Sequence, residues 1–180
     1  MVELFESALS RSDLVHRNVL QKMALVEIET LIHAPVERVF DLSCSIDAHM
    51  ASTDGTGERA VAGRTEGLIR LDETVTWEAT HLFVRQRLTS KITEYERPNM
   101  FVDEMIRGAF ASIHHRHCFT PHGRSTLMKD EFKFSAPMGF LGTIVEQLFL
   151  TRYMTRFLEL RNQGLKRMAE TEEWRRFLPS

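Results

Sequence analysis

The sequence predicts an α+β domain in which a curved antiparallel β-sheet wraps around one long C-terminal α-helix. Three features carry the prediction. The middle third alternates apolar and polar residues in runs joined by short turns, and strands so joined must be antiparallel. The last part of the chain carries an apolar stripe at helical spacing. A single strand and two short helical stretches precede the sheet.

Taken in order, residues 1–22 stand apart. Leu4, Phe5, Ala8 and Leu9, then Leu14, Val15, Val19 and Leu20, have helical spacing, with a break at residues 10–13. They are expected to form an N-terminal helical extension, packed loosely or against a second copy of the chain. Residues 24–32 alternate as a strand. Pro35 is suited to a first helical position, and Val36, Val39, Phe40 and Ser43 share one face of a short helix. A second short helix is expected over residues 46–50. Residues 53–67, with Gly55, Gly57, Gly63 and Gly67, read as loops with short strands between them.

The sheet run follows. Val75, Trp77 and Ala79 alternate with polar Thr74, Thr76, Glu78 and Thr80, and Leu88, Ser90 and Ile92 oppose Arg87, Thr89 and Lys91. Further strands are expected over residues 101–106, 110–120 and 125–134, separated by turns at Arg107-Gly108 and at residues 121–124. A long helix then runs over residues 140–174. Its apolar stripe is Leu141, Ile144, Val145, Leu148, Phe149, Met154, Phe157, Leu158, Leu165 and Met168, opposed by Arg152, Arg156, Arg161 and Lys166. About 35 residues at roughly 1.5 Å each span on the order of 50 Å, enough to cross a sheet. Gly164 is a point where the helix can bend. Residues 23–174 form the domain and 175–180 a tail.

Composition narrows the function. Of 180 residues, 43% are apolar and 27% charged, and 23 basic against 25 acidic residues leave a formal charge of −2. Such a balance gives no reason to expect nucleic acid as a partner. Residues 140–150 are too short and too interrupted by Glu146 and Gln147 to span a bilayer, so stable membrane insertion is not expected. No secretory signal precedes the domain, and Cys44 and Cys118 form neither a CxxC motif nor a disulfide framework. A reduced, cytoplasmic setting is expected.

Several blocks resemble the START-like, or SRPBCC, superfamily. They are Ile32-His-Ala-Pro-Val-Glu-Arg-Val-Phe-Asp-Leu, Val75-Thr-Trp-Glu-Ala, Phe101-Val-Asp-Glu-Met with Gly108-Ala-Phe, His115-Arg-His-Cys-Phe, and Asp130 ahead of Ala136-Pro-Met-Gly. The resemblance covers residues 23–172 and is similar to bacterial single-domain members of the cyclase/dehydrase type. It implies the helix-grip fold and a ligand cavity between sheet and helix, with the glycine-rich 55–67 region as a gate over it. It names no ligand, because the superfamily is united by its cavity rather than by a reaction.

Pairing arithmetic identifies the inward face. If Thr120 opposes Ser125, then His117 meets Met128, His115 meets Asp130, Ile113 meets Phe132 and Ala111 meets Phe134. These residues share one face, while His114, Arg116, Lys129, Glu131 and Lys133 share the other. A two-residue turn at Arg107-Gly108 adds Val102, Glu104 and Ile106 to the inner face; a three-residue turn adds Phe101, Asp103 and Met105 instead. An inward His115 beside an inward Asp130 is the sharpest feature. It fits either an anchor at a cavity wall or a satisfied polar pair in the core.

The leading expectation is binding or carrying of a small hydrophobic ligand, such as a lipid, quinone, isoprenoid or aromatic polyketide. Trp77, Ile113, His115, His117, Met128, Asp130, Phe132 and Phe149 are the candidate ligand-binding residues. The alternative is a cofactor-independent cyclase or dehydratase in which His115 and Asp130 move a proton. No cofactor is expected. Two histidines at His115-x-His117, with Asp130 or Glu104 as a third ligand, would suit a metal, but the spacing is short and common and no metal is expected. A homodimer through residues 1–22 or the apolar end of the long helix is a third, separate option.

Overall fold

The computed structural model describes residues 23–53, 57–81, 84–135 and 144–178. The N-terminal extension, Met138 and Leu141 lie outside them. Seven strands form one sheet: β1 (Ala24–Ile32), β2 (Arg59–Gly63), β3 (Thr74–His81), β4 (Val84–Glu96), β5 (Met100–Arg107), β6 (Ser112–His122) and β7 (Ser125–Ser135). The helices are α1 (Val36–Cys44), α2 (Ile46–Ser52) and α3 (Ile144–Glu170), followed by a 3-10 turn at Glu172–Arg176.

The spatial order is β1-β7-β6-β5-β4-β3-β2, with antiparallel neighbours throughout. Only β1 joins out of sequence, pairing along its whole length with β7 from Ala24–Phe134 to Ile32–Thr126. The α+β arrangement expected from the alternation is therefore the one observed. Among the described residues no helix is long and apolar enough to cross a membrane.

Local chemistry explains the boundaries. Pro35 occupies the N-cap of α1 in extended conformation, one residue earlier than a first helical position. Ser45 then ends α1 and starts α2, its hydroxyl accepting a hydrogen bond from the Ala48 amide at 3.2 Å. In the β6–β7 hairpin the turn is shorter than expected. His122 opposes Ser125, so only Gly123 and Arg124 lie between them, and Gly123 takes the positive φ of 65° that the reversal requires. Pro121 stays within the strand, opposite Thr126.

The end of α3 departs from expectation in two ways. The helix stops at Glu170 rather than at residue 174, and Thr171 caps the following 3-10 turn. Phe177 and Leu178, in the segment expected to be a tail, pack against the core. Gly164 lies inside the continuous helix. A Cβ there would sit 3.0 Å from both Cα and Cβ of Ser52, so the glycine allows α3 to approach α2 closely.

Two apolar clusters form the interior. One gathers Val39, Phe40 and Leu42 of α1 with Trp77, Ile92, Phe101, Phe119, Leu165 and Met168. The other gathers Val26, Ile113, Phe132, Phe134 and Leu158. Phe40 is fully buried and meets the rings of Tyr95, Phe101 and Phe119 edge-on, with centroids 5.3, 5.8 and 5.3 Å away. Cys44 and Cys118 are free thiols, and burial pushes the Cys44 thiol up to about 12. Phe40→Ala removes the ring that ties α1 to three strands. It should cost about 3–5 kcal/mol, read as a lowered midpoint in urea unfolding.

Candidate functional site

A cavity of about 540 Å³ lies between the sheet and α3. Its wall combines the two apolar clusters: Val75, Trp77, Ile92 and Phe101 from one, Ile113, Phe132 and Leu158 from the other. Leu150, Tyr153, Met154 and Phe157 of α3 complete the apolar part. The lining also reaches exposed Val84, Arg87 and Ala109, which places its open side at the ends of β4 and the β5–β6 connection.

One stretch of the wall is polar. Asp103 on β5, His115 and His117 on β6 and Arg161 on α3 all line the cavity. Behind them sit Asp130 of β7 and Asn162 of α3, at 0% and 1% exposure. His115 Nε2 donates to Asp130 Oδ1 at 3.0 Å, and His117 Nδ1 approaches the same oxygen to 2.7 Å. Asn162 Nδ2 donates to Asp130 Oδ2 at 2.6 Å. Arg161 Nη1 lies 3.6 Å from Asp130 Oδ1. On the cavity side, Asp103 Oδ2 accepts from His117 Nε2 at 3.2 Å and stands 3.8 Å from His115 Nδ1. The two imidazoles thus lie between two carboxylates, their ring centroids 3.8 Å apart.

The electrostatics follow from this arrangement. Burial alone would raise the Asp130 carboxyl, but the His115 hydrogen bond and the His117 charge outweigh it and hold it well below the usual carboxylate range. Burial would lower His117, yet its bonds to Asp103 and Asp130 raise it. His115 is pushed down to about 4, by burial first and then by the neighbouring His117 charge. The two rings are thus pushed in opposite directions, His117 toward the protonated form and His115 toward the neutral one.

The hairpin face was legible and its register was not. His117, rather than His115, is the direct cross-strand partner of Asp130, and His115 opposes Phe132. The shift is two residues, so every side chain keeps its face. The β5–β6 connection follows the three-residue parity: Phe101 opposes His117 and Asp103 opposes His115, which brings Asp103 inside. Ile106 is accordingly 60% exposed.

Trp77, Ile113, His115, His117 and Phe132 come together on the cavity wall, and Trp77 stacks on His49 with centroids 4.2 Å apart. Three other candidates do not join them, Asp130 standing behind the wall. Met128 is fully buried beside Ser43 in the first apolar cluster. Phe149 is 56% exposed, because the inward face of α3 runs through Leu150, Tyr153, Met154 and Phe157. Arg161, expected on the solvent face, is instead 5% exposed and turned toward Asp130. Its phase held the signal: Arg161 and Asn162 follow Leu158 by three and four residues and precede Leu165 by four and three.

The sequence matches no family model and no curated protein. Solved structures do match in fold. TTHA0849 from Thermus thermophilus aligns with a TM-score of 0.68 at 18% identity, covering 81% of this chain and 97% of that one. The Zhui aromatase/cyclase from Streptomyces sp. R1128 gives 0.67 at 12% identity, covering 82% and 94%. A START superfamily protein from Mycobacterium smegmatis gives 0.63 at 12% identity, covering 81% and 97%.

Removing the central carboxylate should expose its importance. Asp130→Ala leaves Arg161 without its nearest carboxylate and the two imidazoles with Asp103 alone, and should destabilise the protein by about 3–5 kcal/mol. Because the folded Asp130 pKa is depressed, its contribution is full above the unfolded carboxylate value and is lost as pH falls through the folded one. Urea midpoints of the wild type should therefore fall as the pH is lowered below about 4, and those of Asp130→Ala should fall less steeply.

Proposed function

We propose that this chain, which has the START-like fold, binds a small and largely apolar molecule whose polar end rests on the His115–His117–Arg161 wall. The observation that carries the reading is the change in character of one cavity from apolar to polar. Val75, Trp77, Ile113, Phe132 and Phe157 offer apolar contact, while His115, His117, Asp103 and Arg161 offer a few fixed polar groups. A volume of about 540 Å³ falls in the range typical of small-molecule sites. Arg161 Nη1 is buried without a hydrogen-bond partner among the described residues, so it favours a ligand bearing an acceptor oxygen. Quinones, phenols and aromatic polyketides fit that description better than pure hydrocarbons. The likeness to an aromatase/cyclase and a START protein supports the fold-level part of this reading.

Displacement of an environment-sensitive apolar dye tests it. Uptake should saturate at one dye per chain, and competitors with an apolar body and a carbonyl or phenol should displace the dye. Ala79→Phe places a ring in the cavity from the inner face of β3. It should abolish saturable uptake while leaving the far-ultraviolet circular dichroism unchanged; dye binding that persists in this variant would count against the cavity.

A second reading, a proton-transferring enzyme of the cyclase or dehydratase kind, is favoured by one feature. His115 is neutral, faces the cavity and is oriented from behind by Asp130. His115→Gln separates the two readings. Loss of turnover of a polyketide-like carbonyl compound with its binding retained would make the protein an enzyme. Weakened binding of every acceptor-bearing ligand, without turnover in the wild type, would leave it a binder.

A further inference from the structure

We propose that Asp103, His115 and His117 form a binding site for one divalent metal ion of the zinc or ferrous kind, with open coordination positions facing the cavity. The third ligand is Asp103, not the Asp130 or Glu104 that the spacing suggests. The inference rests on the donor atoms alone and does not depend on what else enters the cavity.

The hydrogen-bond directions make the case. Asp130 is a carboxylate and only accepts, so His115 Nε2, which bonds to it at 3.0 Å, carries hydrogen. His115 Nδ1 then turns a lone pair toward Asp103 Oδ2, and a cation would take the place of the hydrogen that His117 Nε2 shares with the same oxygen. One carboxylate oxygen and two ring nitrogens converge, a donor set suited to a cation. Asp103, His115 and His117 offer ligand atoms that all lie within 4.8 Å of one another. Two of the separations are 3.2 and 3.8 Å. Bonds of 2.0–2.1 Å at a tetrahedral angle place ligand atoms about 3.4 Å apart, between these two values.

The surroundings also match a metal centre. Ligating histidines commonly donate their second ring nitrogen to a carboxylate, which fixes tautomer and orientation. Here one buried carboxylate, Asp130, accepts from His115 Nε2 at 3.0 Å, lies 2.7 Å from His117 Nδ1 and is itself held by Asn162 at 2.6 Å. All three proposed ligands line the cavity, whereas Asp130 sits behind them at 0% exposure. The metal would thus be closed off on the protein side and open toward the cavity. Two imidazoles and one carboxylate suit borderline ions better than calcium or magnesium. Two carboxylates, Arg161 and a divalent ion leave a charge of about +1 at the site, which an ionised ligand oxygen such as an enolate or phenolate would cancel.

The full-length protein, stripped with a chelator and dialysed, is titrated with Co²⁺ and in competition with Zn²⁺. The expected result is uptake of one equivalent at micromolar protein, with visible absorption bands of a nitrogen- and oxygen-ligated cobalt centre. Paramagnetic proton spectra of the cobalt form should show two exchangeable imidazole N–H signals, one for each hydrogen facing Asp130. Asp103→Asn should weaken uptake by at least about 10–100-fold, and His114→Gln, on the outer face of the same strand, should leave it unchanged. No stoichiometric uptake by the wild type, no imidazole signals, or full affinity in Asp103→Asn would each overturn the assignment. The wild-type spectra decide the question even if Asp103→Asn does not fold.

Discussion

A carboxylate with no access to water, Asp130, is the constraint on which the rest of the molecule depends. Taking one ionised carboxyl out of water costs several kcal/mol unless charge and hydrogen bonds replace the lost solvation. Asp130 receives them from two elements: His115 and His117 on the adjacent strand, and Arg161 and Asn162 on α3. Each partner imposes geometry. A slip of β6 against β7 would carry His117 away from Asp130, and a rotation of α3 by one residue, roughly 100°, would carry off Arg161. The carboxylate therefore sets strand register and helix phase together.

That placement explains why the interior is not filled. The two apolar clusters pack separately, one around Phe40 and one around Phe132 and Phe134, and the polar cluster lies at the wall between them. A guanidinium and two imidazoles are less readily covered with hydrocarbon than a leucine face would be, because any apolar neighbour forfeits their remaining hydrogen bonds. Gly164 against Ser52 holds the C-terminal part of α3 close to α2, while Leu150, Tyr153 and Met154, nearer its start, face the cavity. The fold thus seats the helix firmly where the core is apolar and leaves space where it is polar.

The fold was legible in the sequence because it is written in periodicities. Alternation of Val75, Trp77 and Ala79, and of Ile113, His115 and His117, survives any even error in register, so the inner face could be read while the partners could not. Pro121 and His122 resemble turn residues, yet they pair in the ladder, and this displaces the register by two. Asp103 depends on the length of one connection, which local sequence leaves open between two parities. Charge alone places Arg161 in solvent, and hydrophobicity alone places Phe149 in the interior. Both follow instead the helical phase set by Leu158, Leu165 and Met168. Residue type is a weak guide to direction where a buried counter-charge awaits.

The central claim is that an acceptor-bearing apolar molecule enters the cavity and reaches the buried histidines. Side-chain ¹⁵N spectra of the histidines, recorded during titration with a water-soluble naphthol, test it most directly. The account predicts saturable shifts of the His115 and His117 ring resonances, with His114, His122 and the other outward histidines unmoved. Ring resonances that stay fixed at saturating naphthol would contradict it and leave the cluster around Asp130 as core structure alone.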